Sequence, residues 1–384
     1  MARTHTTGSG IVLELIRQGV STRHDLLEHL GWSRVTLARR LDELLSHGLI
    51  VQSGHQASGG GRPRESFAVN ATAGLLLALD IGGSHTRVGV TDLVSEILSE
   101  DEADIGLFEG PGHIIAWAGR VFDKMLQKQG RNRNDVWGIG VGVPGPVDPT
   151  TGQLGAPQID PRWDNVSIPE RVAHWGRPGA VVAVDRDVNV LAVGEARLAW
   201  PDASDLVVVK VGSGVGCAFV LDGKVYRGNR GGSGELSAPL GMHPSVPLRR
   251  FDSVAGGALI RDKLNLTGTR LHTSLDIVSL VKAGDKEATA LVRDLGVQLG
   301  YTLADVVGLL NPAAVVVGGN LATIGEPFIG AIRRSVFAAS HVFARQGLVV
   351  EGARLGVHAG VQGAALIAQD KLFDADRISE LTHG

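Results

Sequence analysis

Cysteine is nearly missing from this 384-residue chain, in which Cys217 stands alone. A single thiol closes no internal disulfide and builds no cysteine-rich zinc cluster, so the interior of a cell is the expected compartment. Aromatic residues are sparse, at 4%, while glycine is plentiful, at 53 residues, a balance that suits a soluble α/β protein. No apolar run is long enough to span a membrane, and the opening MARTHTTGSG lacks the apolar core of a signal peptide. A cytoplasmic protein is therefore expected. Lysine is absent from residues 1–70, where eight Arg and six acidic residues leave a charge of +2 and the rest of the chain −5. That contrast permits a DNA-binding head on an acidic body without proving one. The length calls for two or three domains.

The first 70 residues read as a winged helix-turn-helix. Residues 10–18 suit a short helix, and Ser21-Thr22 can cap a second whose Leu26, Leu27 and Leu30 form one face. Leu30-Gly31-Trp32-Ser33 is a tight turn ending in another capping residue. A third helix is expected from Arg34 to about His47, with Leu37, Leu41, Leu44 and Leu45 inward and Gly48 as its stop. On that helix Val35, Arg39 and Glu43 point away from the leucines, Thr36 lies on the flank, and Arg40 is nearer the packing side. Residues 49–51 and 66–69 would form the strands of a wing. Such a third helix suits the major groove, and Ser33, Arg34, Thr36 and Arg39 are the expected DNA contacts. Arg62 and Arg64, on the stiffened turn Gly61-Arg62-Pro63-Arg64, suit a narrow minor groove. The alternatives are a protein-interaction module for the helices and a flexible linker for the loop.

From residue 75 onward, buried strands alternate with helices. Strands are expected at 75–79, 86–90, 136–143, 181–184, 206–211, 217–221 and 314–317, and helices at 112–129, 188–199 and much of 274–310. Two strands run into glycine loops, Asp80-Ile81-Gly82-Gly83-Ser84 and Gly212-Ser213-Gly214-Val215-Gly216. Glycines let backbone N–H groups face phosphate oxygens, and an Asp can organise magnesium or its water. Asp187, in Asp185-Arg186-Asp187-Val188-Asn189, sits at a strand-to-helix junction. There it could take a proton from a sugar hydroxyl or simply cap the helix. The recurring strand-turn-glycine theme is what two related lobes require.

The order of these motifs resembles the ROK family (repressors, open reading frames and sugar kinases), in particular its xylose-type and N-acetylglucosamine-type repressors. The likeness spans the whole chain: the winged head with its Gly-Arg-Pro loop, DIGGS, VGVPGPVDPTTG (141–152), DRDVNVLAVGE (185–195), VGSGVGCAFVLDGKVYRGNRGGSGEL (211–236) and LNPAAVVVGGN (310–320). It implies an α/β chain with a winged helix-turn-helix (1–70) followed by an actin-like, two-lobed sugar-kinase fold (71–195 and 196–384), part of the C-terminal helix returning to the first lobe. By the same resemblance, Asp80, Gly82, Gly83, Ser84, Gly212, Gly214, Gly216, Gly318 and Gly319 form the nucleotide-phosphate and adenosine loops. Asp187 takes the catalytic-base position, and Asp187, Asn189, Glu235, Asp252 and Gly145 take the sugar side.

The departures from the family pattern are on the sugar side. Where the family has Glu-x-Gly-His, this chain reads Glu235-Leu236-Ser237-Ala238, and residues 239–251 contain no cysteine. A structural zinc needs about four N/S ligands, which His243 cannot supply alone, so no zinc or other metal is expected. Arg186 stands where the family has Asn, placed either to alter the pocket or to pair with an acidic neighbour. Ala238 removes one sugar-bonding side chain, of a kind worth about 0.5–1.5 kcal/mol. The expectation is a sugar-responsive regulator, a repressor of carbohydrate genes. It would bind operator double-stranded DNA and a sugar or sugar phosphate, act as a homodimer or homotetramer, and require no cofactor. The alternatives are an active ATP- and magnesium-dependent sugar kinase with a DNA-binding appendage, and a regulator with a dead pocket controlled by a protein partner.

Overall fold

Capping side chains lay out the head. Thr22 accepts from the Asp25 N–H and opens α2 (Arg23–Leu30), and Ser33 accepts from the Thr36 N–H and opens α3 (Arg34–Ser46). A computed structural model describes residues 8–56, 64–148, 150–155, 160–236 and 256–383. Helix α3 ends at Gly48, whose φ of 66° lets the Leu49 N–H reach back to the Leu44 carbonyl. Leu37, Leu41 and Leu44 are buried against Val12, Leu13 and Ile16 of α1 (Ser9–Arg17). The wing is the antiparallel pair β1 (Ile50–Gln56) and β2 (Arg64–Val69), with Phe67 buried beneath it.

Two sheets of the same topology follow. In the first the order is β5-β4-β3-β6-β7, built from β3 (Leu75–Ile81), β4 (Thr86–Asp92), β5 (Ile97–Ala103), β6 (Val136–Val143) and β7 (Val181–Arg186). The second runs β10-β9-β8-β11-β12, from β8 (Leu206–Val211), β9 (Val215–Leu221), β10 (Lys224–Tyr226), β11 (Ala314–Gly318) and β12 (Val349–Gly352). In each, a three-strand antiparallel meander leads into two parallel strands. The central strands β3, β8 and β11 are buried on both faces almost throughout and read as near-continuous Leu/Val runs.

Helix α4 (Pro111–Lys128) covers one face of the first sheet, with α5 (Ile168–Val172) beside β7. The second sheet is covered by α7 (Gly257–Leu266), α8 (Ser274–Lys282), α9 (Lys286–Leu310) and α10 (Glu326–Ala339). Helix α6 (Asp187–Gly194) runs from the end of β7 and continues into one π-helical turn, Glu195–Ala199. The chain then returns: α11 (Ala359–Leu372) packs on β3, β6, β7 and α6, and α12 (Ala375–His383) packs on α1. The leucines of the head therefore share one apolar core with Leu366, Leu372, Phe373 and Ile378 of the C-terminal segment. No described helix is long and apolar enough to cross a membrane.

Candidate functional site

Asp80 and Lys210 hold corresponding places in the two sheets. Asp80 on β3 lies opposite Gly142 of β6, and Lys210 on β8 lies opposite Gly318 of β11. Each stands two residues before the glycine loop of its hairpin. The two residues meet between the lobes, where Lys210 Nζ donates to Asp80 Oδ1 at 3.2 Å and lies 3.0 Å from Asp187 Oδ2. Their side chains are only 14%, 10% and 17% exposed, respectively. Burial works against the lysine charge, but the Asp187 and Asp80 carboxylates outweigh it and hold the amine well above its ordinary value.

Around this triad is a cavity of about 380 Å³. Of the residues singled out from the sequence, Asp80, Gly82, Gly83, Ser84, Gly145, Asp187, Gly212, Gly214, Gly216, Glu235, Gly318 and Gly319 all line it. Asn189 does not. It is 2% exposed and donates from Nδ2 to Asp185 Oδ1 at 2.7 Å. Successive helical residues are about 100° apart, so with Asp187 facing the cleft, Asn189 two positions on points to the far side. Asp252, Ala238 and His243 lie outside the described residues.

Arg186 lines the same cavity and pairs with an acidic neighbour, as its position allowed. Its Nη2 donates to Glu235 Oε1 at 2.7 Å and its Nη1 to the Ser233 carbonyl at 2.5 Å. Behind it, Asp185 accepts from Arg227 Nε at 2.7 Å and from the Arg186 N–H at 2.8 Å. Asp187 and Glu235, two of the three carboxylates expected on the sugar side, thus each carry a cation. His85, also in the wall, is held below its ordinary pKa by burial, against the pull of Asp80.

Sequence reasoning passed over Lys210. Its signal was present: one charged residue in the otherwise apolar run Leu206-Val207-Val208-Val209-Lys210-Val211. It also bears on magnesium, which demands near-octahedral oxygens at about 2.0–2.1 Å. The carboxylates such an ion would draw on are already bridged by the ammonium, so the residues present do not fit it. Among the described residues, one His/Asp/Glu group has ligand-compatible spacing, His24, Asp25 and Glu28 on α2. There Asp25 is engaged by the Thr22 hydroxyl at 2.7 Å, and His24 and Glu28 are exposed.

On the head, the first turn of α3 is open to solvent. Ser33, Arg34, Val35 and Thr36 are all exposed, Val35 to 80%. The Ser33 and Thr36 hydroxyls, 2.9 Å apart, are engaged in the cap, which leaves Arg34 and Val35 as the freest reach. Arg39 is 66% exposed and 3.6 Å from Glu43. Glu43 does not point away from the core: it accepts from Ser9 Oγ at 2.5 Å and from Arg40 Nη1 at 2.9 Å. The start of α1 packs closely enough on α3 to draw that carboxylate inward. Arg62 lies outside the described residues, and Arg64 opens β2 opposite Gln56.

Head, sheets and cleft together define a class: a winged helix-turn-helix on an actin-like, two-lobed body of the sugar-kinase type. The chain belongs to the ROK family, whose sequence pattern matches residues 76–371. It is 24% identical to the xylose repressor of Caldicellulosiruptor bescii, over 94% of this chain and 95% of that one. It is 26% identical to the DNA-binding transcriptional dual regulator NagC of Escherichia coli, over 95% and 93% of the two chains. A ROK-family transcriptional regulator described as a homolog of the E. coli MLC protein superposes over 98% of both chains, with a TM-score of 0.78 and 23% identity. A ROK glucokinase from Streptomyces griseus, in complex with glucose and AMPPNP, covers 77% of this chain and 100% of its own, at 27% identity and a TM-score of 0.65. The protein is thus a ROK-family transcriptional regulator resembling the xylose and N-acetylglucosamine repressors.

Proposed function

We propose that this chain is a sugar-responsive repressor of carbohydrate uptake or metabolism genes. It binds operator DNA through the winged head and a sugar or sugar phosphate in the interlobe cleft, and works as a homodimer or homotetramer. The observation that carries this reading is the mechanical continuity of head and cleft. Asp370 of α11 accepts from Arg17 of the head at 2.9 Å and from Arg197 at 2.8 and 2.5 Å. Arg197 sits on the π-helical turn that continues α6, and the first residue of α6 is Asp187 in the cleft wall. Single π-helical turns within helices are frequent at functional positions. A ligand that moves Asp187 therefore acts on a helix whose far end shares a carboxylate with the head. The relatives named for xylose and N-acetylglucosamine support a sugar as the effector class.

The kinase alternative requires Asp187 to accept a hydroxyl proton. The Lys210 ammonium, 3.0 Å from Asp187 Oδ2, competes with a substrate hydroxyl for that carboxylate, which favours binding without turnover. The test begins with selection of genomic fragments by the purified protein, followed by anisotropy titrations of any hit with monosaccharides and their phosphates. One sugar is expected to release the DNA, and the operator must weaken affinity for that sugar by the same factor. Equal sugar affinity with and without DNA would overturn the induction model. Sugar-dependent release of ADP from ATP, abolished by Asp187→Ala, would establish the kinase instead. DNA affinity should fall steeply with salt, and Arg62→Ala/Arg64→Ala should weaken it, whereas unchanged affinity would make the loop a linker.

A further inference from the structure

We infer that Lys210 is a resident cation standing where a divalent metal would bind in the cleft, so that the cleft takes its ligand without magnesium. The inference deepens the reading of the cleft as a binding site and rests on it for the ligand alone. Its own basis is geometric. The two lobes repeat one topology, and the residue that enters each glycine loop from its strand is Asp80 in one and Lys210 in the other. One member of this related pair is an acid and the other a base, and they meet at 3.2 Å with Asp187 completing the triad at 3.0 Å.

The Asp80 carboxylate cannot easily turn away to serve a metal. A Cβ built on Gly360, in the first turn of α11, would lie 2.0 Å from Asp80 Oδ2, and one on Gly142 would lie 3.2 Å from Asp80 Oδ1. Asp80 is thereby walled against the helix start on one side and β6 on the other. The N-terminal end of α11 favours its negative charge, and Lys210 supplies the countercharge. A divalent ion placed among the same oxygens would sit within a few ångströms of the ammonium and be repelled by it. An ammonium has three N–H donors. Two directed at Asp80 and Asp187 leave one for an oxygen of a sugar or sugar phosphate in the cavity that Lys210 lines.

The test uses Mn²⁺ alone as the probe, read by electron paramagnetic resonance on the full chain. Wild type and Asp187→Asn are expected to bind Mn²⁺ equally weakly, because neither offers a cleft site. Lys210→Gln should gain one site at least tenfold tighter than any in the wild type, and Lys210→Gln/Asp187→Asn should lose it. A wild-type site that Asp187→Asn removes would overturn the inference, as would a folded Lys210→Gln that gains none. Should Lys210→Gln fail to fold, the comparison of wild type with Asp187→Asn still decides. Neither sugar nor DNA enters the measurement, so its failure is distinct from failure of the repressor reading.

Discussion

At the scale of single residues, buried charge decides the character of the cleft. Removing one partner of a buried ion pair costs about 3–5 kcal/mol, because the other is left uncompensated. Lys210→Met strands two acids at once and should lower unfolding free energy in urea by at least that range. Asp80→Asn and Asp187→Asn added to Lys210→Met should recover most of it. The pH sign follows from the raised lysine value. The stabilisation from the Lys210 charge is fully present below the unfolded lysine pKa and is lost only as pH rises through the folded one, so Lys210 adds no pH dependence across the neutral range. Cys217 supplies an independent readout. Burial pushes its thiol up to about 12, far above an ordinary cysteine, so the reactive thiolate is scarce at pH 8. Thiol reagents should leave the native protein untouched and label it at the rate of unfolding; rapid native labelling would contradict the burial.

At the scale of elements, caps and leucine spacing made the head legible, because both are local signals. Ser33→Ala should cost the head about 1 kcal/mol through loss of the α3 cap. Ser33→Asp should restore that stability. If α3 faces phosphates, it should also weaken DNA binding; restored stability with unchanged affinity would place the first turn of α3 away from DNA. Strand β5 was not legible. Its sequence, Ile97-Leu98-Ser99-Glu100-Asp101-Glu102-Ala103, is acidic, and acids are depleted in strands. It is an edge strand, where charge blunts further pairing, and Arg87 of β4 holds Glu100 and Glu102 against the sheet. Asn189 was misplaced for the opposite reason: a motif read as a string put it beside Asp187, and the helix that the string forms turned it away.

At the scale of the whole molecule, Asp370 joins the N-terminal head, α6 and the C-terminal helices. Burial alone would raise its pKa, but the bidentate Arg197 pair and then Arg17 hold it below the ordinary carboxylate value. This contribution is present above the unfolded value of about 3.9 and is lost as pH falls through the folded one, so head docking should loosen only in acid. The carboxylate is partly exposed, and Asp370→Asn should cost no more than about 1 kcal/mol of global stability. Its larger effect should be on coupling. The sugar-induced change in operator affinity should shrink several-fold, while sugar-free affinity stays near wild type. The same fold-release in both proteins would remove Asp370 from the path.

Periodicity, caps and glycine loops are written in consecutive residues, and they carried the winged head, the α/β alternation and the glycine-loop positions that line one cleft. The pairing of Asp80 with Lys210, 130 residues apart, is not a local property. Nor are the engagement of Glu235 by Arg186 or the sharing of Asp370 between Arg17 and Arg197. Each depends on how two lobes and a returning C-terminal helix bring distant side chains within 3.2 Å, and in that buried space a single ammonium changes what the neighbouring carboxylates can do.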